Sequence, residues 1–250
     1  MRFRFFIIPF IVLLTIAVSI WWFFDATNAI WIILTLVAGY SWAGWKLDPE
    51  RKDWWRFAII PWLMAVTILF FSILISGVLL YVLLAVLSAL LQIIYWRQLL
   101  TYTSESTSYI PFSLERLSFS YNFLILFFAT ASIFGFKRFL DIPEWILWPT
   151  FAICLAILIA QRLWLTDAHQ NTAWRLATTI FIAVMELFIV ASFLPLDFRL
   201  LAFLVAAAYY GFVSYGFGRS DQEVSQLHVR LLLIIITLGC LAVLATARWY

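Results

Sequence analysis

An uncharged stretch between two arginines, Arg56 and Arg97, decides the fold. It reads RFAIIPWLMAVTILFFSILISGVLLYVLLAVLSALLQIIYWR, residues 56–97. A single bilayer crossing needs about 20 apolar residues in a helix, so the stretch is long enough for two crossings. Near its middle, Ser76-Gly77 predicts a tight turn. The stretch therefore predicts two membrane helices folded back on each other, with both charged ends on one side of the membrane.

The composition of the whole chain agrees with a membrane protein. Of its 250 residues, 66% are hydrophobic and 12% are charged, and the mean hydropathy is +1.02. A soluble domain of this length lacks the polar side chains needed to cover so much apolar surface. The net charge of +3 is small, which argues against a nucleic-acid partner. We expect membrane lipid as the main partner, with other membrane-protein subunits as a further possibility, and we expect no cofactor.

The same pattern continues along the chain and predicts an all-α, polytopic membrane bundle of about nine helices. Helices are expected because lipid cannot satisfy free backbone groups. The predicted hairpins cover about 5–45, 57–97, 119–160 and 174–217, a last helix covers 220–248, and all belong to one domain, 1–250. Counts of eight or ten helices are alternatives, because the segment 130–148 can be divided in more than one way.

The distribution of basic residues predicts the orientation. Lys and Arg are more frequent in the cytoplasmic loops of membrane proteins. With the N-terminus inside, twelve of them fall on the cytoplasmic side, and the other side holds only Lys137, Arg138, Arg199 and Arg248. The sequence thus predicts a cytoplasmic N-terminus and a location in the plasma (inner) membrane. Lys137-Arg138 fits this rule poorly.

Three connecting segments carry more specific predictions. The polar stretch Gln98–Ser118 is predicted to be a mobile loop, with a small β-hairpin on the membrane surface as the alternative. Asp141 with Glu144 three residues later resembles a capping box, which predicts that a helix begins there. Pro195-Leu-Asp197 predicts a turn between two helices.

Glu186 is the one acidic residue predicted to lie deep in the membrane. It follows Arg175 by eleven residues, about 16 Å along a helix, and precedes Leu194 by eight. An ionised carboxylate at such a depth costs about 2.5–3.5 kcal/mol. We therefore expect a protonated acid that is hydrogen-bonded to a neighbouring helix.

Two interpretations of Glu186 remain open. It binds an ion, a proton or a polar substrate, as intramembrane acids often do, or it joins two helices by a hydrogen bond. The neutral residues that could bond to it are Tyr81, Gln92, Asn122, Tyr209 and Tyr215. If it serves transport, Glu186→Gln should abolish a pH-linked flux and leave the fold intact.

A second polar cluster is predicted at the cytoplasmic face. It contains Asp167, His169, Glu223 and His228, together with Asp221. A metal or acid–base site is conceivable, but the spacing matches no ligand pattern. We interpret these residues as parts of solvated loops and helix caps, and we assign no catalytic or metal-binding residue.

Three functional hypotheses follow. The first is a non-enzymatic membrane subunit or scaffold that interacts with lipid or with partner membrane proteins. The second is a small-solute or ion-coupled transporter that uses Glu186. The third is a lipid-modifying enzyme with a site at the cytoplasmic face. The sequence favours the first hypothesis, because loops are short and polar residues within the predicted helices are few.

Overall fold

The computed structural model describes residues 54–104, 113–165 and 171–218, and within them the chain is helical, without a β-strand. The helices are, in chain order, α1 (Trp54–Ser72), α2 (Val78–Ser104), α3 (Ser113–Leu140), α4 (Glu144–Leu165), α5 (Asn171–Ala191) and α6 (Phe198–Gly218). Five of them, α2 to α6, are long and apolar enough to cross a membrane. The predicted all-α class is confirmed for this part of the chain.

The predicted count of nine helices is not supported by the described residues, which contain six. The first predicted hairpin, 5–45, and the last predicted helix, 220–248, lie outside them. The chain divides into two compact units, Met1–Ile125 and Leu126–Tyr250. That the chain forms one domain stays a prediction.

In the first unit, α1 and α2 form a hairpin. Residues 73–77 connect them, and Gly77 has a φ of +119°, a conformation that glycine adopts readily because it has no Cβ. The predicted turn at Ser76-Gly77 is therefore confirmed. On α1, the residues Ile60, Met64 and Ile68 are at most 1% exposed. Their spacing of four places them on one face of the helix, which forms the core of this unit.

Two helices extend beyond their apolar segments. The apolar part of α2 ends at Leu99, but the helix continues to Ser104, and α3 already begins at Ser113. The prediction of a loop or β-hairpin over Gln98–Ser118 is wrong for both helical parts, and residues 105–112 lie outside the described residues. Hydropathy marks the segment that lipid can surround, whereas a helix bonds internally and can continue into polar sequence. For the same reason α4 and α5 extend into residues 161–173, which lie between the predicted hairpins 119–160 and 174–217.

The connection between α3 and α4 differs from its prediction. Asp141 has a φ of +53° and follows the last residue of α3, a position where the left-handed conformation commonly ends a helix. Aspartate tolerates this conformation better than most residues. Asp141 therefore ends α3 instead of capping α4. Glu144, the expected second member of the capping box, accepts a hydrogen bond from Lys137 at 2.5 Å.

The connection between α5 and α6 agrees with its prediction. The Asp197 side chain accepts a hydrogen bond from the backbone N–H of Arg199 at 2.9 Å, and its carbonyl accepts one from Leu201 at 3.1 Å. Asp197 is thus the N-cap of α6. The turn predicted at Pro195-Leu-Asp197 is confirmed, and it returns the chain so that α6 packs on α5.

Candidate functional site

The buried face of α5 fixes the direction of every other side chain on that helix. It consists of small and apolar residues three or four positions apart: Ala177, Ile180, Val184, Phe188 and Ala191. Phe188 is 1% exposed, and its ring stacks on Phe151 of α4 with centroids 3.9 Å apart and planes 7° apart. It also stacks on Phe134 of α3 at 4.9 Å and 15°. These two ring contacts set the rotation of α5 about its own axis.

Glu186 lies on the opposite face of α5. It precedes Phe188 by two residues, which is about 200° around a helix of 3.6 residues per turn, and it is exposed in the described structure. One turn before and after it are Ile182 and Val190, whose exposed fractions are 50% and 58%. We call Ile182, Glu186 and Val190 the outward face of α5. An acid here is surrounded by apolar side chains that face away from the core of the second unit.

Glu186 lies in the C-terminal half of the apolar span of α5. The apolar span is Ala173–Ala191, so the acid is thirteen residues from one end and five from the other. At 1.5 Å per residue it is about 7.5 Å from the C-terminal end of the span. It is only four residues, about 6 Å, from the middle of the span at Ile182, so its predicted depth in the membrane stays a prediction.

No described residue of the second unit hydrogen-bonds or pairs with the Glu186 carboxyl. The expected bond to a neighbouring helix is thus not found there, and the predicted partners Tyr209 and Tyr215 do not provide it. Tyr209 is buried and Tyr215 is 55% exposed. Whether Glu186 binds an ion or a substrate stays a prediction. What the geometry provides is one acidic group on an apolar surface.

Lys137 and Arg138, which fit the orientation rule poorly, have a structural role. The Lys137 ammonium contacts Glu144 at 2.5 Å and donates to the backbone carbonyl of Ser192 at 3.1 Å. Arg138 donates to the backbone carbonyl of Leu196 at 3.4 Å. Both basic side chains therefore join the α3–α4 connection to the α5–α6 connection. We call Lys137, Arg138 and Glu144 the turn clamp.

The turn clamp gives a reason for two basic residues on the side that the sequence predicts to be poor in them. Glu144 neutralises Lys137, and the two backbone carbonyls are acceptors left over at the end of α5 and in its turn. The sequence analysis missed this arrangement. The signal was the spacing of seven residues between Lys137 and Glu144 across a short break, which was interpreted only as a capping box.

The first unit contains a group of buried polar side chains, which we call the polar seam. Its members are Ser88, Gln92 and Tyr95 on α2 and Ser118, Tyr121 and Asn122 on α3, and none is more than 2% exposed. The Gln92 amide donates to the carbonyl of Pro61 at 2.9 Å. The Tyr121 hydroxyl donates to the carbonyl of Leu91, and the Tyr95 and Tyr121 rings are 5.3 Å apart. The seam thus ties together all three described helices of this unit.

The polar seam was visible in the sequence but was not recognised. Ser88, Gln92 and Tyr95 are four and three residues apart, which places them on one face of a helix. Gln92 and Asn122 were considered only as possible partners of Glu186. Because most residues of this chain are apolar, three polar residues on one face of a helix indicate a polar contact with a neighbouring helix.

The predicted cytoplasmic cluster cannot be placed. Asp167, His169, Glu223 and His228 all lie outside the described residues. Within 54–104, 113–165 and 171–218, no group of three or more His, Cys, Asp or Glu side chains has a geometry that could hold a metal ion. Cys154 is a buried free thiol on α4.

Comparison with known proteins gave no match, whether to models of protein families, to curated proteins or to solved structures. The functional conclusion therefore depends on the geometry of this chain.

Proposed function

We propose that this chain is a non-enzymatic subunit of a membrane-protein assembly, and that it binds a transmembrane helix of a partner protein through the outward face of α5. One observation carries the proposal: Glu186 is exposed between Ile182 and Val190, whose exposed fractions are 50% and 58%. Lipid chains surround such a surface poorly, because an ionised carboxylate in hydrocarbon costs about 2.5–3.5 kcal/mol. A partner that satisfies the acid removes this cost.

The chemistry of the outward face defines the partner. Ile182 and Val190 offer apolar contact one helical turn on either side of the acid. The matching helix therefore carries a lysine, an arginine or a neutral hydrogen-bond donor at the depth of Glu186, with apolar residues above and below it. Polar contacts of this kind between membrane helices contribute about 0.6 kcal/mol on average in measured cases, so the polar pair selects the partner and the apolar contact supplies most of the affinity.

The direction of Glu186 also bears on the transporter hypothesis. A transport pathway built from the helices of the second unit needs its acid on a face that other helices surround. Phe188 occupies that face of α5, and Glu186 is about 200° away from it. The subunit hypothesis needs no such pathway, and for this reason we prefer it.

We further propose that the chain crosses the plasma membrane about nine times, with its N-terminus in the cytoplasm. The count of basic residues supports this orientation. It places the α3–α4 and α5–α6 connections outside the cell and residues 98–118 inside. Single cysteines at Asp141, Pro195 and Ser106 test it in a variant without Cys154 and Cys240. A membrane-impermeant maleimide should label the first two in intact cells and Ser106→Cys only after lysis; the reverse labelling would overturn the orientation.

The subunit proposal is tested by extraction in a mild detergent followed by native mass measurement. The wild-type chain should travel with a second protein in a fixed ratio, and Glu186→Ala should lose that protein. Ile153→Ala, at a position on α4 that is 62% exposed, is the matched control and should keep it.

Two results would contradict the proposal. One is a wild-type chain that travels alone; the other is a complex that survives Glu186→Ala unchanged. If the lone chain also supports a pH-linked flux in liposomes that Glu186→Gln abolishes, the transporter hypothesis replaces the subunit hypothesis.

A further inference from the structure

The polar seam of the first unit contains acceptor and hydroxyl groups that the described helices leave unused. The Gln92 amide nitrogen is bonded to Pro61, but its oxygen, Oε1, has no hydrogen-bond partner among the described residues. The same holds for the Ser88 hydroxyl. Both side chains are 0% exposed, so bulk solvent does not satisfy them.

The two groups are neighbours on α2. Ser88 and Gln92 are four residues apart, which brings side chains together on one face of a helix, with Cβ atoms about 5–6 Å apart. The two polar atoms do not bond to each other, since both lack a partner within the described helices, so one small molecule between them could bond to both. The hydrogen bond from Gln92 to Pro61 holds the amide in place, so Oε1 has a fixed position from which to accept.

Pro61 leaves one backbone carbonyl of α1 without its usual helical donor. It lies inside α1, and because proline has no N–H it cannot donate to the carbonyl four residues earlier. The Pro61 carbonyl itself accepts a hydrogen bond from the Gln92 amide, so the α1–α2 interface contains a polar contact at this point. In a lipid-embedded segment such acceptors need an internal donor.

We propose that Gln92 Oε1 and the Ser88 hydroxyl bind an internal water molecule between α1 and α2. The described groups of the polar seam are all neutral, which suits a neutral donor better than an ion. A water molecule can donate one hydrogen bond to Oε1 and form a second hydrogen bond with the serine hydroxyl. Buried waters in proteins typically occupy such sites, where polar groups would otherwise be unsatisfied.

The site has a defined depth in the apolar span. The span of α2 is Leu79–Leu99, and Ser88 and Gln92 are one residue before and three residues after its midpoint. The water would thus lie near the middle of the membrane. Tyr95, Tyr121 and Asn122 continue the polar seam from there towards the end of the span at Leu99.

Radiolytic hydroxyl labelling of the full-length chain in detergent tests this proposal. Radicals formed from a bound water oxidise the side chains next to it, even when these are buried. Met64 lies one turn after Pro61 and Tyr95 one turn after Gln92, and they are 0% and 2% exposed. Relative to its rate in the unfolded chain, each should be oxidised several-fold faster than Phe151, which is 0% exposed in the second unit.

Two serine variants provide the matched comparison. Ser88→Ala removes one ligand of the water and should lower the labelling of Met64 and Tyr95 several-fold. Ser132→Ala removes a buried hydroxyl whose hydrogen bond to Phe128 is already made at 2.7 Å, so it should leave the labelling unchanged. Gln92→Leu should lower the labelling further, and circular dichroism confirms that each variant remains helical.

The proposal is overturned if Met64 and Tyr95 in the wild-type chain are as protected as Phe151. It is also overturned if their labelling is unaffected by Ser88→Ala while the variant remains folded. Neither result bears on the partner-binding proposal, because that proposal concerns the second unit and is measured by complex formation.

Discussion

At the scale of single residues, Phe188 and Glu186 mark the two faces of α5: Phe188 packs in the core of the second unit, and Glu186 is exposed. Phe188 stacks on Phe151 and Phe134, and aromatic pairs of this kind contribute about 0.5–1.5 kcal/mol each beyond the area that they bury. Because the two residues are only two positions apart, the rings that hold Phe188 inward also hold Glu186 outward. The exposed acid is therefore a consequence of core packing.

The stack gives the first prediction. Phe188→Ala should lower the free energy of unfolding by about 3–5 kcal/mol, because a buried aromatic ring is removed and a cavity remains. Ile153→Ala, at a position 62% exposed, should change it by less than about 0.5 kcal/mol. Reversible unfolding in mixed detergent micelles measures both. Equal losses in the two variants would show that the stack does not hold α5.

The turn clamp gives the second prediction. The Lys137 and Glu144 side chains are 31% and 37% exposed, and partly exposed pairs contribute about 0–1 kcal/mol. A double-mutant cycle with Lys137→Met and Glu144→Gln should therefore give a coupling energy below about 1 kcal/mol. Lys137→Met alone should cost more than Glu144→Gln, because it also removes the bond to the Ser192 carbonyl. The reverse order would contradict the assignment of Lys137 as the central residue of the clamp.

At the scale of elements, the hairpin turns were predictable and the helix ends were not. Ser76-Gly77 and Pro195-Leu-Asp197 were identified because turn residues interrupt apolar sequence, and their chemistry is local. The ends of α2 and α3 were misplaced because hydropathy reports where lipid ends, at Leu99 in α2, and not where the helix ends. The role of Asp141 depends on a positive φ, which no spacing rule indicates.

The α1–α2 turn gives the third prediction. Gly77→Ala should destabilise the hairpin by about 1–3 kcal/mol, because a Cβ disfavours the positive φ of this residue. No atom lies within 4 Å of the position that the Cβ would take, so backbone strain alone would cause the loss. Ser76→Ala is the neighbouring control. Thermal unfolding should separate the two variants, and an unchanged Gly77→Ala would mean that this turn relaxes freely.

The contact between α5 and α6 gives the fourth prediction. A Cβ at Gly216 would lie 3.0 Å from two methyl carbons of Leu176, so the two helices approach closely there. Gly216→Ala requires only a movement of the leucine tip, whereas Gly216→Ile should cost about 1–3 kcal/mol by overpacking. Leu176→Ala should restore part of that loss in the double variant. An additive double variant would show that the two positions are not coupled.

At the scale of the whole molecule, the sequence determines the class of protein more firmly than its site. Over the residues that the structure describes, the helical class and the five helices able to cross a membrane follow from apolar length and from the need of lipid-embedded backbone to bond internally. The acid at position 186 was identifiable as unusual, but its direction was not. The exposed positions of α5 include large apolar residues such as Ile182 and Val190, so hydropathy alone does not show that Phe188 faces the core near Glu186.

The polar seam differs from Glu186, because its residues were not identified as a site from the sequence. Its residues on α2 follow a helical spacing that can be read directly, yet their contacts with Pro61 and with α3 are long-range and require the fold. Glu186 was therefore identified from the sequence, whereas the polar seam was not recognised as a group. Glu186 was expected to bond to a neighbouring helix, but its side chain is exposed. Gln92 was considered only as a possible partner of Glu186, although the two residues belong to different units.

Site-specific photo-cross-linking on the outward face of α5 tests the central claim most directly. A photoreactive residue at Val190, one turn from Glu186, should give one adduct of defined mass with a second membrane protein, and Glu186→Ala should abolish it. The same residue at Ile153 on α4 should give no such adduct. An adduct at Val190 with lipid alone, or with another segment of this same chain, would contradict the claim that the outward face binds a partner protein.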